Sequence, residues 1–200
     1  MKTCKADGCN RTDIKGKGYC GKHYAQIQKH GKILAKTRFD KNEIVIYDDY
    51  AEIILYDKKG NEKARALIDI EDVDKVKNIR WGFSYGYAVN SNTGIKLHRF
   101  IMNCPYDMEV DHINRNRLDN RKSNLRITTH QQNNMNKGLT KSNTSGYTGI
   151  YWYKARNKWQ VSIKVNYKSI FLGYYADLEE AIKVRKEAEE KYFGEYRNKE

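Results

Sequence analysis

Two groups of residues in this chain have the types and the spacing to do chemistry. The first is Cys4, Cys9, Cys20 and His23, a C-x4-C-x10-C-x2-H pattern. Three thiolates and one imidazole fill a closed tetrahedral zinc site, and the short spacing within each pair lets a turn present two ligands together. Gly8, Gly16, Gly18 and Gly21 suit the tight turns such a site needs. A segment this short, with so few aliphatic side chains, folds only around a staple. Structural Zn2+ is therefore expected there. The second group begins at Val110-Asp111-His112-Ile113-Asn114 and resumes at Ser123-Asn124-Leu125-Arg126-Ile127-Thr128-Thr129-His130-Gln131-Gln132-Asn133-Asn134. It reads as a strand ending in Asp-His, a long polar loop, a short strand over Leu125–Ile127, and a helix. Thr129 with Gln132 makes a capping box, which starts that helix near His130. A carboxylate and an imidazole side by side at a strand end can meet a helix side chain across the hairpin. That is the minimum for holding one divalent ion beside a general base.

The elements that must position these groups alternate along the chain. Glu43–Tyr47, Ala51–Tyr56 and Lys63–Ile68, rich in Ile, Val and Tyr, read as strands, with Lys58-Lys59-Gly60-Asn61 as a hairpin turn. Ile70–Val76 reads as a short helix, and Tyr85–Asn90 with Gly94–Leu97 as a further hairpin. Lys137–Gly146, built of Gly, Ser, Thr, Asn and Lys, reads as a flexible linker. Beyond it, Ile150–Tyr153, Lys158–Val165 and Lys168–Leu172 alternate like a three-stranded antiparallel sheet that turns at Asn166-Tyr167. Asp177 with Glu180 opens a helix in which Leu178, Ala181, Ile182, Arg185, Ala188 and Tyr192 fall at helical spacing, and Gly194 stops it. Cys104, beside the only proline, reads as a small buried residue.

Composition narrows the partner. The chain has 200 residues, of which 39% are hydrophobic and 32% charged, so several small cores fit better than one large one. The net charge of +13 divides unevenly: residues 1–40 carry +7, 41–97 carry −1, 98–137 carry +3 and 138–200 carry +4. Basic patches thus flank a nearly neutral segment, as if gripping one long polyanion. No apolar stretch approaches the ~20 residues that span a bilayer, and the N-terminus lacks the apolar core of a signal peptide. The expectation is a cytoplasmic protein in which cysteines stay reduced and favour metal over disulfides.

The stretch from Leu97-His98-Arg99-Phe100 through Val110-Asp111-His112 to Ser123-Asn124-Leu125-Arg126 resembles the HNH endonucleases, closely those of the phage and intron homing type. It covers about 40 residues strongly. The resemblance implies a ββα-metal unit that hydrolyses phosphodiester bonds. It assigns His112 as the general base that activates water and Asp111 as a ligand of the catalytic metal, and Asn124 as the residue that braces the loop and orients the histidine. The helix ligand falls nine residues beyond Asn124, on Asn133, with His130 and Asn134 as alternatives on the same helix. His98 and Arg99 take a packing or phosphate-facing role, and Arg99 is carried as a DNA contact. Hard oxygen ligands point to Mg2+ or Mn2+, and a neutral imidazole takes the water's proton at physiological pH.

A second resemblance lies in Ser145-Gly146-Tyr147-Thr148-Gly149-Ile150, Lys158-Trp159-Gln160-Val161-Ser162-Ile163, Phe171-Leu172-Gly173-Tyr174-Tyr175 and Glu179-Glu180-Ala181. These about 50 residues are similar to the ethylene-response-factor-type DNA-binding domain, whose sheet enters the major groove while its helix backs it. Tyr151, Tyr153, Arg156, Ser162, Lys164 and Lys168 are the candidate DNA contacts on that analogy, with Tyr and Ser largely in place of the family's base-reading arginines.

The sequence as a whole reads as an α+β, multidomain protein. Its expected parts are a zinc knuckle (1–35), a β-rich DNA-positioning segment (36–97), an HNH core (98–137), a linker (138–146) and the C-terminal domain (147–196). The expected activity is that of a mobile, phage-encoded endonuclease working on double-stranded DNA, with a monomer favoured. The rival readings are a non-enzymatic sequence-specific DNA-binding regulator, which has no use for Asp111-His112-Asn124, and an RNA nuclease.

Overall fold

Ala51, Ile53 and Leu55 are fully buried on alternate positions of β4 (Ala51–Tyr56), the period-two pattern that fixes which side of a strand meets a core. In a computed structural model describing residues 2–34 and 40–198, β4 is the middle strand of an antiparallel sheet with β3 (Ile44–Ile46) and β5 (Glu62–Ile68). Asp57 closes the β4–β5 turn by accepting from the N–H groups of Lys59 (2.7 Å) and Asn61 (3.0 Å). A single 3-10 turn, Ile70–Asp72, runs into α2 (Val73–Val76) where a short helix is expected. The core adds Ala66, Ile68, Val76, Trp81, Ala88, Leu97 and Ile101. Asn42 bolts it together: its amide donates to the carbonyls of Ile54 (2.8 Å) and Trp81 (2.9 Å) and accepts from the Trp81 N–H (2.7 Å).

One expected hairpin is placed differently. Tyr87–Asn90 is a strand (β7), but its partner is β6 (Trp81–Ser84) on the N-terminal side, and Gly94–Leu97 contributes only a bridge from Lys96 to Val89. The turn decides this. Tyr85 (φ 49°) and Gly86 (φ 84°) both take positive φ, the two-residue geometry that joins adjacent antiparallel strands. Leu97–Ile101 forms α3, and Lys96 lies over the Tyr87 ring.

The chain divides into two compact units. The first holds the N-terminal segment, the sheet and helices above, and residues Arg117–Ser123, which run along β5: the Leu67 N–H donates to Leu118 O (2.8 Å) and the Asn120 N–H to Leu67 O (2.9 Å). Within this unit β1 (Ile14–Gly16), β2 (Tyr19–Cys20) and α1 (Gly21–His30) form the cysteine-bearing segment. The expected boundary at 35/36 lies outside the described residues. The second unit comprises Met102–Asn116 and the chain from Asn124 on. Cys104, in this unit, is half-buried and not the fully buried residue expected; its thiol donates to the carbonyl of Pro105 (3.5 Å).

In the second unit β8 (Glu109–His112) pairs antiparallel with β9 (Leu125–Thr128), and α4 (His130–Met135) follows. A second sheet, in the order β10 (Ile150–Tyr153), β11 (Lys158–Val165), β12 (Lys168–Tyr175), packs Ile150, Val161 and Ile163 against Ala181, Ala188 and Phe193 of α5 (Leu178–Phe193). Strand β12 runs three residues past the expected end at Leu172, and a bulge at Val161/Ser162 absorbs the mismatch. The Asn166-Tyr167 turn again has both residues at positive φ. Residues 138–146 form no helix or strand, but Ser145 donates to Ile150 O (2.7 Å) and Asn143 to Tyr147 O (2.8 Å), which ties the segment's end to β10. Gly149 is required at φ 77°, because a side chain there would strike the Ser162 carbonyl.

Candidate functional site

The N-terminal ligands converge. Cys4, Cys9, Cys20 and His23 place their ligand atoms within 4.8 Å of one another. The Cys9 and Cys20 sulfurs are 4.0 Å apart, and the His23 Nδ1 lies 3.2 Å from Cys4 Sγ and 3.6 Å from Cys20 Sγ. A tetrahedral zinc with Zn–S near 2.3 Å sets its sulfurs roughly 3.8 Å apart, so the cluster has the dimensions of such a site. The local fold explains it. The β1–β2 hairpin ends on Cys20, the N-cap of α1, and His23 follows within the first turn of that helix. Burial pushes the Cys4 thiol up. The Cys20 N–H (3.3 Å) and His23 outweigh it and bring Cys4 down to about 6. Cys9 shifts the other way: the Arg11 N–H lowers it, but desolvation and the neighbouring thiols of Cys4 and Cys20 leave it raised.

The second constellation sits at the loop end of the β8–β9 hairpin. Register pairs His112 with Leu125 and Asp111 with Arg126, and both Asp111 and His112 are buried. Asn124 closes the loop between the strands. Its side-chain oxygen accepts from the Asn114 N–H and its carbonyl from the Ile113 N–H, each at 2.9 Å. The side chain therefore fixes the backbone that leaves His112. The helix begins as its sequence expects, with Thr129 and Gln132 capping each other's backbone (3.2 and 2.8 Å).

The geometry separates the residues that α4 brings to β8. The Asn133 amide donates to Glu109 (2.5 Å), and His130 meets the same carboxylate at 2.7 Å. Desolvation raises Glu109, but these two partners leave it below its ordinary value. Asn134 lines a cavity of about 880 Å3 together with Arg115, Lys137 and Lys164. The residue at Asp111 is Asn136, buried at the C-cap of α4, whose amide reaches both carboxylate oxygens (3.1 Å each) and the His112 carbonyl (2.9 Å). Arg126 completes the grip on Asp111 Oδ2 at 2.7 and 3.0 Å. Sequence reasoning passed over both. Asn136 lies one helical step of three from Asn133, and Arg126 is the cross-strand partner of Asp111, so both signals were present.

The other candidates lie apart. His98 is buried against the Tyr87 ring (5.3 Å) and Arg99 is half-buried, both on α3 of the first unit. On the C-terminal sheet, register places Tyr151 opposite Gln160, Tyr153 opposite Lys158 and Lys164 opposite Ser169. Ser162 pairs with Phe171 on that same side. Arg156 lies over the Tyr174 ring at 4.7 Å. Lys168 pairs with Val165, which packs toward α5, so it leaves the sheet on the other side from Lys164. Among the described residues no helix is long and apolar enough to cross a membrane.

The profile of the HNH endonuclease family matches residues 102–135, the segment that contains β8, the Asn124-closed loop, β9 and α4. An uncharacterized HNH endonuclease of Acanthamoeba polyphaga mimivirus is 30% identical over 180 residues, covering 84% of this chain and 94% of that protein. This chain belongs to the HNH endonuclease family. It is a nuclease, and the Asp111-His112 hairpin lies within the family's matched segment. Protein 3.8 of Escherichia phage T7 is 37% identical over 59 residues, 30% of this HNH endonuclease and 49% of the phage protein. No solved structure matches it.

Proposed function

We propose that this HNH endonuclease is a divalent-metal-dependent enzyme that hydrolyses phosphodiester bonds of double-stranded DNA with His112 as general base. The observation that carries the reading is the Asn124-closed hairpin. It presents a buried carboxylate and imidazole on consecutive residues, with a capped helix of amide side chains alongside. The Asp111 carboxylate and the Asn133 amide oxygen are hard donors suited to Mg2+ or Mn2+. Such an ion, when bound, neutralises charge that builds on the phosphate and on the leaving 3′ oxygen.

The chain's own residues do the rest. Asn124 holds the backbone after His112, so the ring keeps one position from which to take a proton from water. Asn136, through the His112 carbonyl and the Asp111 carboxylate, locks the two residues to one another. Arg126 holds the buried carboxylate of Asp111 in place with two nitrogens on one oxygen. The basic excess of the N-terminal, hairpin and C-terminal segments supplies the grip on a polyanion.

Zinc in the N-terminal cluster is structural on this reading, because four protein ligands leave no open position. The C-terminal sheet and helix act as a DNA-binding module of the ethylene-response-factor type. The relatives from a giant virus and a phage support a mobile, homing-type element carried by a phage and active in its host's cytoplasm. Supercoiled plasmid is the test. Pure protein should nick it with Mg2+ or Mn2+, lose that activity without an added divalent ion, and lose it with Asp111→Ala. Absence of metal-dependent nicking in wild-type protein would overturn the proposal.

A further inference from the structure

The outward face of the C-terminal sheet is paved with aromatic rings where a groove-reading sheet would carry long cations. The register sets Tyr151, Gln160 and Tyr174 in one cross-strand row, with Tyr153 and Phe171 in the rows on either side. Ile150, Val161 and Ile163 point the other way, into the core beneath α5. The rings of this face lie against one another: Tyr153 and Tyr174 have centroids 5.5 Å apart, Phe171 and Tyr174 5.0 Å apart, and the Arg156 guanidinium covers Tyr174 at 4.7 Å. They are also in water, with Phe171 54% and Tyr151 45% exposed. Three exposed or half-exposed rings and a guanidinium in continuous contact form an apolar patch that a monomer has no folding reason to keep.

Charge and ring chemistry together choose the occupant. Lys154, Arg156, Lys158 and Lys164 lie in or beside this face, and it carries no carboxylate. A cationic rim around a π surface matches a chain of phosphates joining flat bases. In a duplex the bases bury their faces against one another and show only edges in the grooves. There a phenyl ring such as Phe171 meets at most a thymine methyl, and a Tyr ring adds one hydroxyl, so neither uses the base faces. In a single strand the base faces are free to stack on aromatic rings and on guanidinium planes.

We infer that the outward face of the β10–β11–β12 sheet is a stacking platform for single-stranded DNA, with Tyr153, Phe171 and Tyr174 under the bases and Arg156 and Lys164 at the backbone. This rests on the nucleic-acid reading above and changes what the module holds: an unpaired strand, such as the one freed beside a nick, in place of an intact groove.

Fluorescence anisotropy of the full-length protein tests it, without added divalent ion, on a labelled 12-nucleotide oligo-dT and on a 12-base-pair duplex. The single strand should bind more tightly than the duplex. Tyr153→Ala, Phe171→Ala and Tyr174→Ala should each weaken single-strand binding about tenfold or more, the size of one base–ring stack. Tyr153→Phe and Tyr174→Phe should bind like wild type, since they keep the ring and lose only the hydroxyl. Thermal melting confirms that each variant is folded.

Three results would overturn the inference. One is tighter binding of duplex, with loss in the Tyr→Phe variants, which means hydroxyls reading edges. Another is single-strand affinity unchanged in the alanine variants. The third is ring-dependent self-association in sedimentation that the strand does not disperse, which makes the face an interface between copies. Plasmid nicking by the wild-type protein, measured alongside, reports on the proposed nuclease mechanism independently.

Discussion

Arg126 grips the carboxylate of Asp111 with two nitrogens on one oxygen, at 2.7 and 3.0 Å, and its remaining nitrogen donates to the carbonyl of Glu195 (2.6 Å) while Tyr196 lies under its plane (4.8 Å). The turn that ends α5 is therefore fastened through one arginine to a proposed metal-ligating carboxylate. Both partners are largely buried, with side chains 15% and 6% exposed. Removing one leaves a buried charge without its counter-ion, which typically costs about 3–5 kcal/mol. Arg126→Ala should lower the stability of the second unit by about that much in urea unfolding. Arg126→Lys should recover part of it, because the point charge returns without the planar fork. A loss below about 1 kcal/mol would mean that Asn136 alone suffices to hold Asp111.

His112→Ala should cut the rate of metal-dependent nicking by roughly 10²–10⁴-fold, the usual contribution of a general base. Binding of DNA should stay within a factor of a few, since proton abstraction belongs to the transition state. Asn124→Ala should lower nicking less than His112→Ala does and should lower the melting temperature too, because it frees the backbone N–H of Asn114 in the loop. Nicking by the His112 variant within a few-fold of wild type would remove His112 from its role.

The N-terminal cluster makes a pH-dependent prediction. Cys4 falls from the ordinary thiol range near 9 to about 6 in the folded protein. Between those values the folded state binds fewer protons than the unfolded one. The thiolate's contribution to stability is therefore complete above about pH 9 and is lost as pH falls through about 6. In metal-free protein, the difference in melting temperature between wild type and Cys4→Ser should widen as pH rises from 6 to 9. With metal retained, elemental analysis should give about one zinc per chain, as a single four-ligand site requires. A constant difference across that range would show that Cys4 is not the ionised ligand.

Arg156 and Lys164 should report their phosphate contacts through salt. Each contact to a single strand contributes about 0.7 to the slope of log K against log salt, and each contact to duplex about 0.9. Arg156→Ala with Lys164→Ala should therefore flatten the slope by roughly 1.4 on the strand that the sheet holds. A slope unchanged by both would place the backbone elsewhere.

Much of the local structure was legible because it depends on neighbours in sequence. The alternation of Ala51, Ile53 and Leu55 marked a half-buried strand, and Thr129 with Gln132 marked the helix start to the residue. Asn166-Tyr167 marked a turn that the backbone makes at positive φ. Spacing alone gathered Cys4, Cys9, Cys20 and His23, since a turn brings short-range ligands together whatever the rest of the chain does. The expected hairpin took Tyr85 and Gly86 into the strand ending at Asn90, because a tyrosine at φ 49° gives no signal in composition.

Which helix residue faces Asp111 was decided by the tertiary structure. Counting along the sequence favoured Asn133, but α4 sits so that Asn133 and His130 reach Glu109 and Asn136 reaches Asp111. A shift of one helical step changes the partner, and that shift is set by Met135 packing into the cluster of Ile163, Ala188 and Phe193 far along the chain. The same holds for Arg126, whose hold on Asp111 follows from strand register while its second anchor comes from Glu195, which no local pattern links to it. The sequence by itself determined the family, the chemistry-bearing residue types and the elements that carry them. Their pairing depended on contacts between segments distant in sequence, whose alignment is a property of the packed core and not of any stretch of residues.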